Sequence, residues 1–249
     1  MKNFKLLVFL LASTSIFWAQ KTNTQNTNGE IIYHVCQRSF YDSNGDWNGD
    51  LNGLRQKLDY LQELGVTSIM LLPLYEADCY HNYFANDFEQ IDPEFGTIEE
   101  YVALVKDIHQ RGMKIYMDME SQYVTSKHLW WKDAVGNLKS KYSDYLLFDD
   151  AEHTTPSTMV FGLREFNSFD GSTIKVTTVN LKSPKVLDYN IRLFSFFMDP
   201  NQDGKFDDGV DGFRLDHAMD HLDGKPTLTN LFTEFWRPLI TELKKVNPK

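Results

Sequence analysis

Two short apolar runs restrict the fold more than anything else in this chain. VTSIMLLPL (66–74) and KIYMDM (114–119) are of strand length and apolar at almost every position, as strands covered on both faces must be. Between them stands TIEEYVALVKDIHQRG (97–112), where Thr97 with Glu100 three residues on makes a capping-box start. Before them, LNGLRQKLDYLQELG (51–65) spaces Leu51, Leu54, Leu58, Leu61 and Leu64 three or four apart and closes on Gly65, an amphipathic helix with a glycine stop. IIYHVCQRSF (31–40) is a further strand-type stretch ahead of that helix. The order β-α-β-α-β with tight connections specifies a parallel sheet.

The pattern resumes downstream. SPKVLDYNIRLFSFFMD (183–199) reads as helix and GVDGFRLD (209–216) as a fourth strand. TLTNLFTEFWRPLITELKKV (227–246) reads as a final helix with Leu228, Leu231, Phe232, Phe235, Leu239 and Leu243 on one face and Pro238 as its kink. Residues 75–96 form a polar, aromatic loop. Residues 120–182 are rich in Ser, Thr, Asp and aromatics without a long periodic segment, and read as an inserted subdomain, since a structureless loop of that length does not suit a compact fold. Four strands alternating with helices fit half of a (β/α)8 barrel. A flavodoxin-like open sheet is the rival, but it leaves the insertion after the third strand unexplained and lacks a glycine-rich phosphate turn. The expected fold class is therefore α/β, a (β/α)8 TIM barrel truncated after about four β/α units, with a subdomain inserted after the third strand. The expected division is leader 1–19, linker 20–29, first part of the barrel 30–119, insertion 120–182, and barrel continued, incomplete at its C-terminus, over 183–249.

The leader sets the expected compartment. MKNFK is basic, LLVFLLASTSIFW apolar and AQKTNTQNTNGE polar, the order of a secretory signal peptide with cleavage near Ala19. The apolar run is short of the ~20 residues of a membrane span, although an anchor is the alternative. The expectation is a secreted or periplasmic protein with no membrane contact once the leader is removed. A net charge of −10 argues against nucleic acid, whose phosphates call for basic patches. Cys36 and Cys79 are too few for a disulfide scaffold; one bridge and two isolated thiols both stay open.

In a barrel, working residues gather at the C-terminal ends of strands. Those ends supply Arg38, the segment YEADCYHNYF (75–84), Asp118, and the pair Arg214 and Asp216. Arg214 and Asp216 are two apart, so they share a face. An arginine there holds a carboxylate ionised and oriented, with Asp118 as its second partner. A structural ion-pair network without catalysis fits these residues equally well.

The spacing D-x-N-x-D-x-x-x-D occurs twice, as DSNGDWNGD (42–50) and DPNQDGKFD (199–207). Alternating oxygen donors followed by a backbone carbonyl suit Ca2+, a hard cation with six to eight oxygen ligands. The expected ligands are Asp42, Asn44, Asp46, Asp50 and the Asn48 carbonyl in the first loop. In the second they are Asp199, Asn201, Asp203, Asp207 and the Lys205 carbonyl. No glutamate stands at position twelve, which argues against an EF-hand; a solvated turn is the alternative.

Four blocks, YHVCQRSFYDSNGDWNGDLNGLRQKLDYLQELGVTSIMLLPL, YHNYFANDFEQIDPEFGT, GMKIYMDM and GVDGFRLDHAMD, resemble successive blocks of the α-amylase family of glycoside hydrolases, in that family's order. The resemblance runs from about Gly29 to the C-terminus. It implies a barrel with a B domain after the third strand and retaining cleavage of α-glucosidic bonds in an α-glucan such as starch or maltooligosaccharides. On its motifs Asp216 matches the nucleophile, Arg214 its positioning arginine, Tyr83 the tyrosine that stacks on the sugar, and His81 a sugar-hydroxyl ligand; Asp118 also matches. Phe84 stands where many α-amylases have tryptophan and many exo-acting α-glucosidases have aspartate, which favours longer chains. Related α-glucosidases carry a loop similar to 42–50 in the same place, and both metals are expected to staple the barrel.

There are departures. Where the third-strand block of the family reads D-x-x-x-N-H, this chain has Gln122 and Tyr123, and Asp220 with His221 stands where a histidine follows the nucleophile. TTVNL (177–181) is only a loose match to the block of the inserted domain. The resemblance puts the general acid, a glutamate, on the fifth strand and a third acid on the seventh, both past Lys249. Glu234 and Glu242 fall on the last helix pattern and are not candidates. The chain as written is therefore expected to be an N-terminal part without turnover of its own; the alternative is a non-catalytic secreted α-glucan-binding or calcium-binding protein.

Overall fold

The computed structural model describes residues 29–168 and 170–248. The leader read over 1–19 and all but the last residue of the linker read over 20–29 lie outside them. Among the described residues no helix is long and apolar enough to cross a membrane.

Strand β1 (Ile32–Val35) leads through one 3-10 turn into the first Asp-rich loop. The single helix expected over 51–65 is two, α1 (Leu51–Gln56) and α2 (Leu58–Glu63), divided at Lys57, whose N–H tightens onto the Leu54 carbonyl at 2.9 Å. The apolar stripe survives the break, with Leu51, Leu54, Leu58 and Leu61 fully buried. Leu64 is exposed instead, because the helix has already ended and Gly65 turns the chain at φ +90°, a region glycine enters without steric cost. Strand β2 (Ser68–Leu71) follows.

The stretch 75–96, read as a loop, contains β3 (Tyr75–Ala77) and β4 (Ala85–Ile91). One is three residues long and the other is buried mainly in its first half, so neither carries a usable alternation. Helix α3 (Ile98–Gln110) opens with the expected capping box, and β5 (Lys114–Met119) is the second apolar run. The irregular stretch 120–182 holds β6 (Tyr123–Thr125), α4 (Leu129–Ala134), β7 (Glu165–Asn167) and β8 (Thr173–Thr178), all too short for periodicity to show. Helix α5 (Pro184–Met198) and β9 (Gly212–Leu215) are as expected. The last helix, expected from 227, passes through one wide π-type segment, Phe232–Trp236, before α6 (Arg237–Val246). Pro238 explains the irregularity: it has no N–H to return to the preceding turn. Phe232, placed on the apolar face by its spacing, is exposed there.

Strands β1, β2, β5 and β9 form one parallel sheet in the order β1-β2-β5-β9. Consecutive strands lie side by side with helices between, the arrangement of four β/α units of a (β/α)8 barrel. Strands β3, β4, β6, β8 and β7 form a second sheet in that order. That sheet recruits two strands from before residue 120, so it is larger than the segment read as an insertion.

The core packs helices α1, α2, α3 and α5 and the segment 228–243 against the parallel sheet. The buried Tyr101 hydroxyl donates to the Phe197 carbonyl at 2.7 Å and ties α3 to α5. After α5 the chain loops out and returns at Gly209, where a Cβ would lie 2.2 Å from the Met198 carbonyl; only glycine permits that approach. Among the described residues β9 has no second strand neighbour, and Phe213 and Leu215 are only half-buried beside Leu239 and Leu243.

Candidate active site

The register of the parallel sheet builds the site. Asp118 on β5 is paired directly with Arg214 on β9, so both point to one face. Arg214 Nη1 donates to Asp118 Oδ2 at 2.6 Å and lies 2.7 Å from Asp216 Oδ1. The Tyr83 hydroxyl donates to the same Asp118 oxygen at 2.6 Å, and His34 Nε2 of β1 stands 3.8 Å from it. Three separate segments thus converge on the one enclosed carboxylate of Asp118, while the Asp216 side chain keeps 26% exposure. Burial pushes the Asp118 carboxyl up, against the hydrogen bonds from Tyr83 and Arg214 and the charge of Arg214. Burial also raises the Tyr83 hydroxyl, with its bond to Asp118 acting the same way.

His81 is half-buried, its Nδ1 accepting the Tyr83 N–H at 3.2 Å, with the two rings 5.2 Å apart. Burial lowers its pKa, opposed by the nearby Asp216 charge. Phe84 turns toward the second sheet, with its ring 4.8 Å from Phe166 and 5.9 Å from Tyr123. Arg38, another strand-end residue, serves as a latch: it pairs with Asp92 and Glu94 and donates to the Tyr80 carbonyl. Cys36 and Cys79 are free, and burial pushes the Cys79 thiol up to about 11.

One site residue escaped the sequence reading. Glu120 is 1% exposed, and burial, together with the Asp216 carboxyl against it, holds its own carboxyl well above the usual range. The signal was available: Glu120 follows Asp118 by two residues, the spacing that put Arg214 and Asp216 on one face. The departures Gln122 and Tyr123 also have work here. Gln122 N–H donates to Glu120 Oε1 at 2.9 Å and its amide Nε2 to the Asp216 carbonyl at 2.7 Å. The Tyr123 hydroxyl donates to Asp223 Oδ2 at 2.7 Å, and its ring packs 5.7 Å from that of His217, which adopts φ +50°. Glu234 and Glu242 are surface groups paired with Lys182 and Lys245.

The Asp-rich loops wrap alike. In the first, Asn44, Asp46 and Asn48 N–H groups donate to the side chains of Asp42, Asn44 and Asp46 two residues back, and Asp42 also accepts from Gly45 and Trp47. The Gly45 and Trp47 bonds hold the Asp42 carboxyl below its usual range. Asp50 does other work, accepting the Gly53 N–H at 2.6 Å as N-cap of α1 and binding Ser43. In the second, Asp203 and Lys205 N–H groups donate to Asn201 and Asp203, and Asp199 accepts from Asp203 and Gly204. Lys205 also sets its Nζ 3.0 Å from Asp203 Oδ2. Asp207, chosen by spacing, is exposed; the return of the chain at Gly209 turns Asp208 inward instead, where Oδ1 is buried without a hydrogen-bond partner. The donors are all oxygen, as a hard cation requires. Among the described residues no three His, Cys, Asp or Glu side chains converge as a metal cluster. A cation in either loop would therefore have to draw on Asn side chains and carbonyls beside the acids.

A parallel β/α sheet with an arginine-clamped carboxylate at its strand ends is the architecture of part of a (β/α)8 barrel with a site at its C-terminal face. Residues 34–230 match the model "Alpha amylase, catalytic domain", and the chain belongs to the α-amylase family. It is 29% identical to Alpha-amylase 3 of Dictyoglomus thermophilum over 98% of this chain and 46% of that protein. It is 31% identical to an oligo-1,6-glucosidase of Parageobacillus thermoglucosidasius over 75% of this chain and 34% of that protein. The crystal structure of the α-amylase from H. orenii superposes with a TM-score of 0.69 at 30% identity, covering 87% of this chain and 45% of that one. The chain thus spans about half the length, or less, of these relatives.

Proposed function

We propose that the whole protein is a retaining glycoside hydrolase acting on α-glucans, starch or maltooligosaccharides, with Asp216 as nucleophile. The observation that carries this reading is the cluster of Arg214, Asp216, Asp118 and Tyr83 at the ends of β5 and β9. Asp216 is partly open to solvent and fixed by Arg214, so its carboxylate is placed to attack an anomeric carbon and hold the sugar as a covalent intermediate. Tyr83 offers the sugar ring an aromatic face, His81 a hydroxyl partner, and Phe84 apolar contact further along a chain. Asp118 is enclosed and acts through Arg214 and Tyr83, fixing both.

Retaining cleavage needs a second carboxyl ~5 Å from the nucleophile. Glu234 and Glu242 are engaged at the surface and Glu120 is enclosed, so the general acid is proposed to come from sequence outside residues 1–249. Asp216→Asn in the complete enzyme should lower hydrolysis more than about a thousandfold while glucan binding, read by affinity electrophoresis, persists. Unchanged hydrolysis would remove Asp216 from the mechanism; persistent binding to a wild-type protein that never cleaves would favour an α-glucan-binding protein.

Calcium in the two Asp-rich loops is proposed as a structural ion. The loops would hold it through Asp42, Asn44 and Asp46, and through Asp199, Asn201 and Asp203, and it would supply fixed positive charge between the strands and their helices. The basic-apolar-polar leader supports export to the periplasm or medium; a mature N-terminus found at Gln20 is the expected result, and one at Met1 would oppose it.

A further inference from the structure

Glu120 is a second enclosed acid beside the site, and the proposed reaction does not use it. It follows β5 directly at 1% exposure, and its carboxyl is in hydrogen-bond contact with that of Asp216. Two carboxyls in such contact keep one proton between them, because two adjacent charges out of water are too costly. The surroundings decide which one keeps it. Asp216 is partly open to water and has a guanidinium nitrogen at 2.7 Å. Glu120 has a backbone N–H on Oε1, and His217 Nδ1 stands 3.9 Å from Oε2.

The other groups around Glu120 do not supply positive charge. Asp118 is a second acid on the same segment. The Tyr75 hydroxyl is bound to the backbone of Glu120, donating to its carbonyl at 2.7 Å. The Tyr123 hydroxyl is directed to Asp223, and Asp223 Oδ1 faces His217 Nε2 at 3.9 Å, so His217 is shared between two acids. The proton therefore belongs on Glu120, and the only acceptor in the pair is Asp216.

We propose that Glu120 is a positioning residue for the nucleophile, a carboxylic acid anchored by the Gln122 amide that donates its proton in a hydrogen bond to the Asp216 carboxylate. Together with Arg214, it fixes the Asp216 carboxylate and favours its ionised form. No proton leaves Glu120 during the reaction. The bond also serves the second half of a retaining cycle, in which the carboxylate must leave the sugar. Naming Asp216 the nucleophile rests on the proposed function; the hydrogen bond itself does not.

The test is arranged so that the two can fail separately. In the full chain, Glu120→Gln keeps a donor of the same shape and removes the proton, whereas Glu120→Leu removes the donor. A Glu held neutral by the fold contributes stability below its unfolded pKa that is lost as pH rises toward its raised folded value. Glu120→Gln should therefore melt several degrees above wild type at about pH 8, and the gap should close by about pH 4. A Gln variant that melts level with or below wild type at the higher pH overturns the proposal. Carbon-13 titration of the Asp216 carboxyl supplies the second reading without any turnover. Its pKa should rise in Glu120→Leu and stay near wild type in Glu120→Gln; an unchanged value in the Leu variant overturns the proposal. Where hydrolysis is measurable, the acid limb of kcat/KM should move with the same titration.

Discussion

The strand ends and the Asp-rich loops are both acidic, and they differ in what satisfies the acids. At the strand ends, Asp118 is held by Tyr83 and Arg214, 35 and 96 residues away. In the loop 42–50, Asp42 is held by backbone N–H groups no more than five residues away. The first arrangement exists only when the sheet is assembled; the second is a local turn that needs little of the fold. Damage at the strand ends should therefore reach function and stability together, while damage in the loops should stay local unless a metal is bound.

The largest expected effect is at Arg214. Arg214→Ala leaves the buried Asp118 facing Asp216 without its cation; it should cut hydrolysis in the complete enzyme about a thousandfold or more and lower the melting temperature in the same variant. A variant that loses activity without losing stability would break the link between the two. Calcium removal comes next. Chelation should lower stability by about 3–4 kcal/mol for each loaded loop, the value for a ligand at about a hundred to a thousand times its Kd, read as a fall in melting temperature reversed by added calcium. No fall and no calcium by elemental analysis would make the loops plain turns. Asp50→Ala should cost about 1–2 kcal/mol from the lost N-cap of α1, with or without calcium; a loss seen only in the loaded protein would assign Asp50 to the metal instead. Smallest is Tyr83→Phe, which removes one donor from Asp118 while Arg214 stays, and should cost about 1 kcal/mol. Chemical denaturation of the pair Tyr83→Phe and Arg214→Ala, singly and together, should show non-additivity because they share Oδ2.

Some of this was legible along the chain because it is local. The capping box of α3, the stripe Leu51, Leu54, Leu58, Leu61, and the two buried parallel strands follow from spacing alone. The side-by-side placement of Arg214 and Asp216 follows from the two-residue period of a strand, and the same period pointed to Glu120, which was passed over. Phe84 and Asp207 show the limit. Phe84 packs toward Phe166 of the second sheet, and Asp207 yields its inner place to Asp208 because Gly209 must press against the end of α5. The first depends on a partner far along the chain and the second on a close approach across the loop, and neither shows as a spacing. The second sheet does not show along the chain either: strands of three to seven residues leave no period to count.

The sequence by itself determined a parallel β/α sheet, its helices, and an arginine and an aspartate sharing the face of one strand, because those follow from side-chain geometry over a few residues. Asp118 is expected from the strand ends as that arginine's second partner, but only the tertiary structure decided that Tyr83 joins them on Asp118, that Glu120 lies against Asp216, and that Gln122 anchors both. Those contacts join segments far apart along the chain, and burial sets the protonation of each acid only once the segments have met.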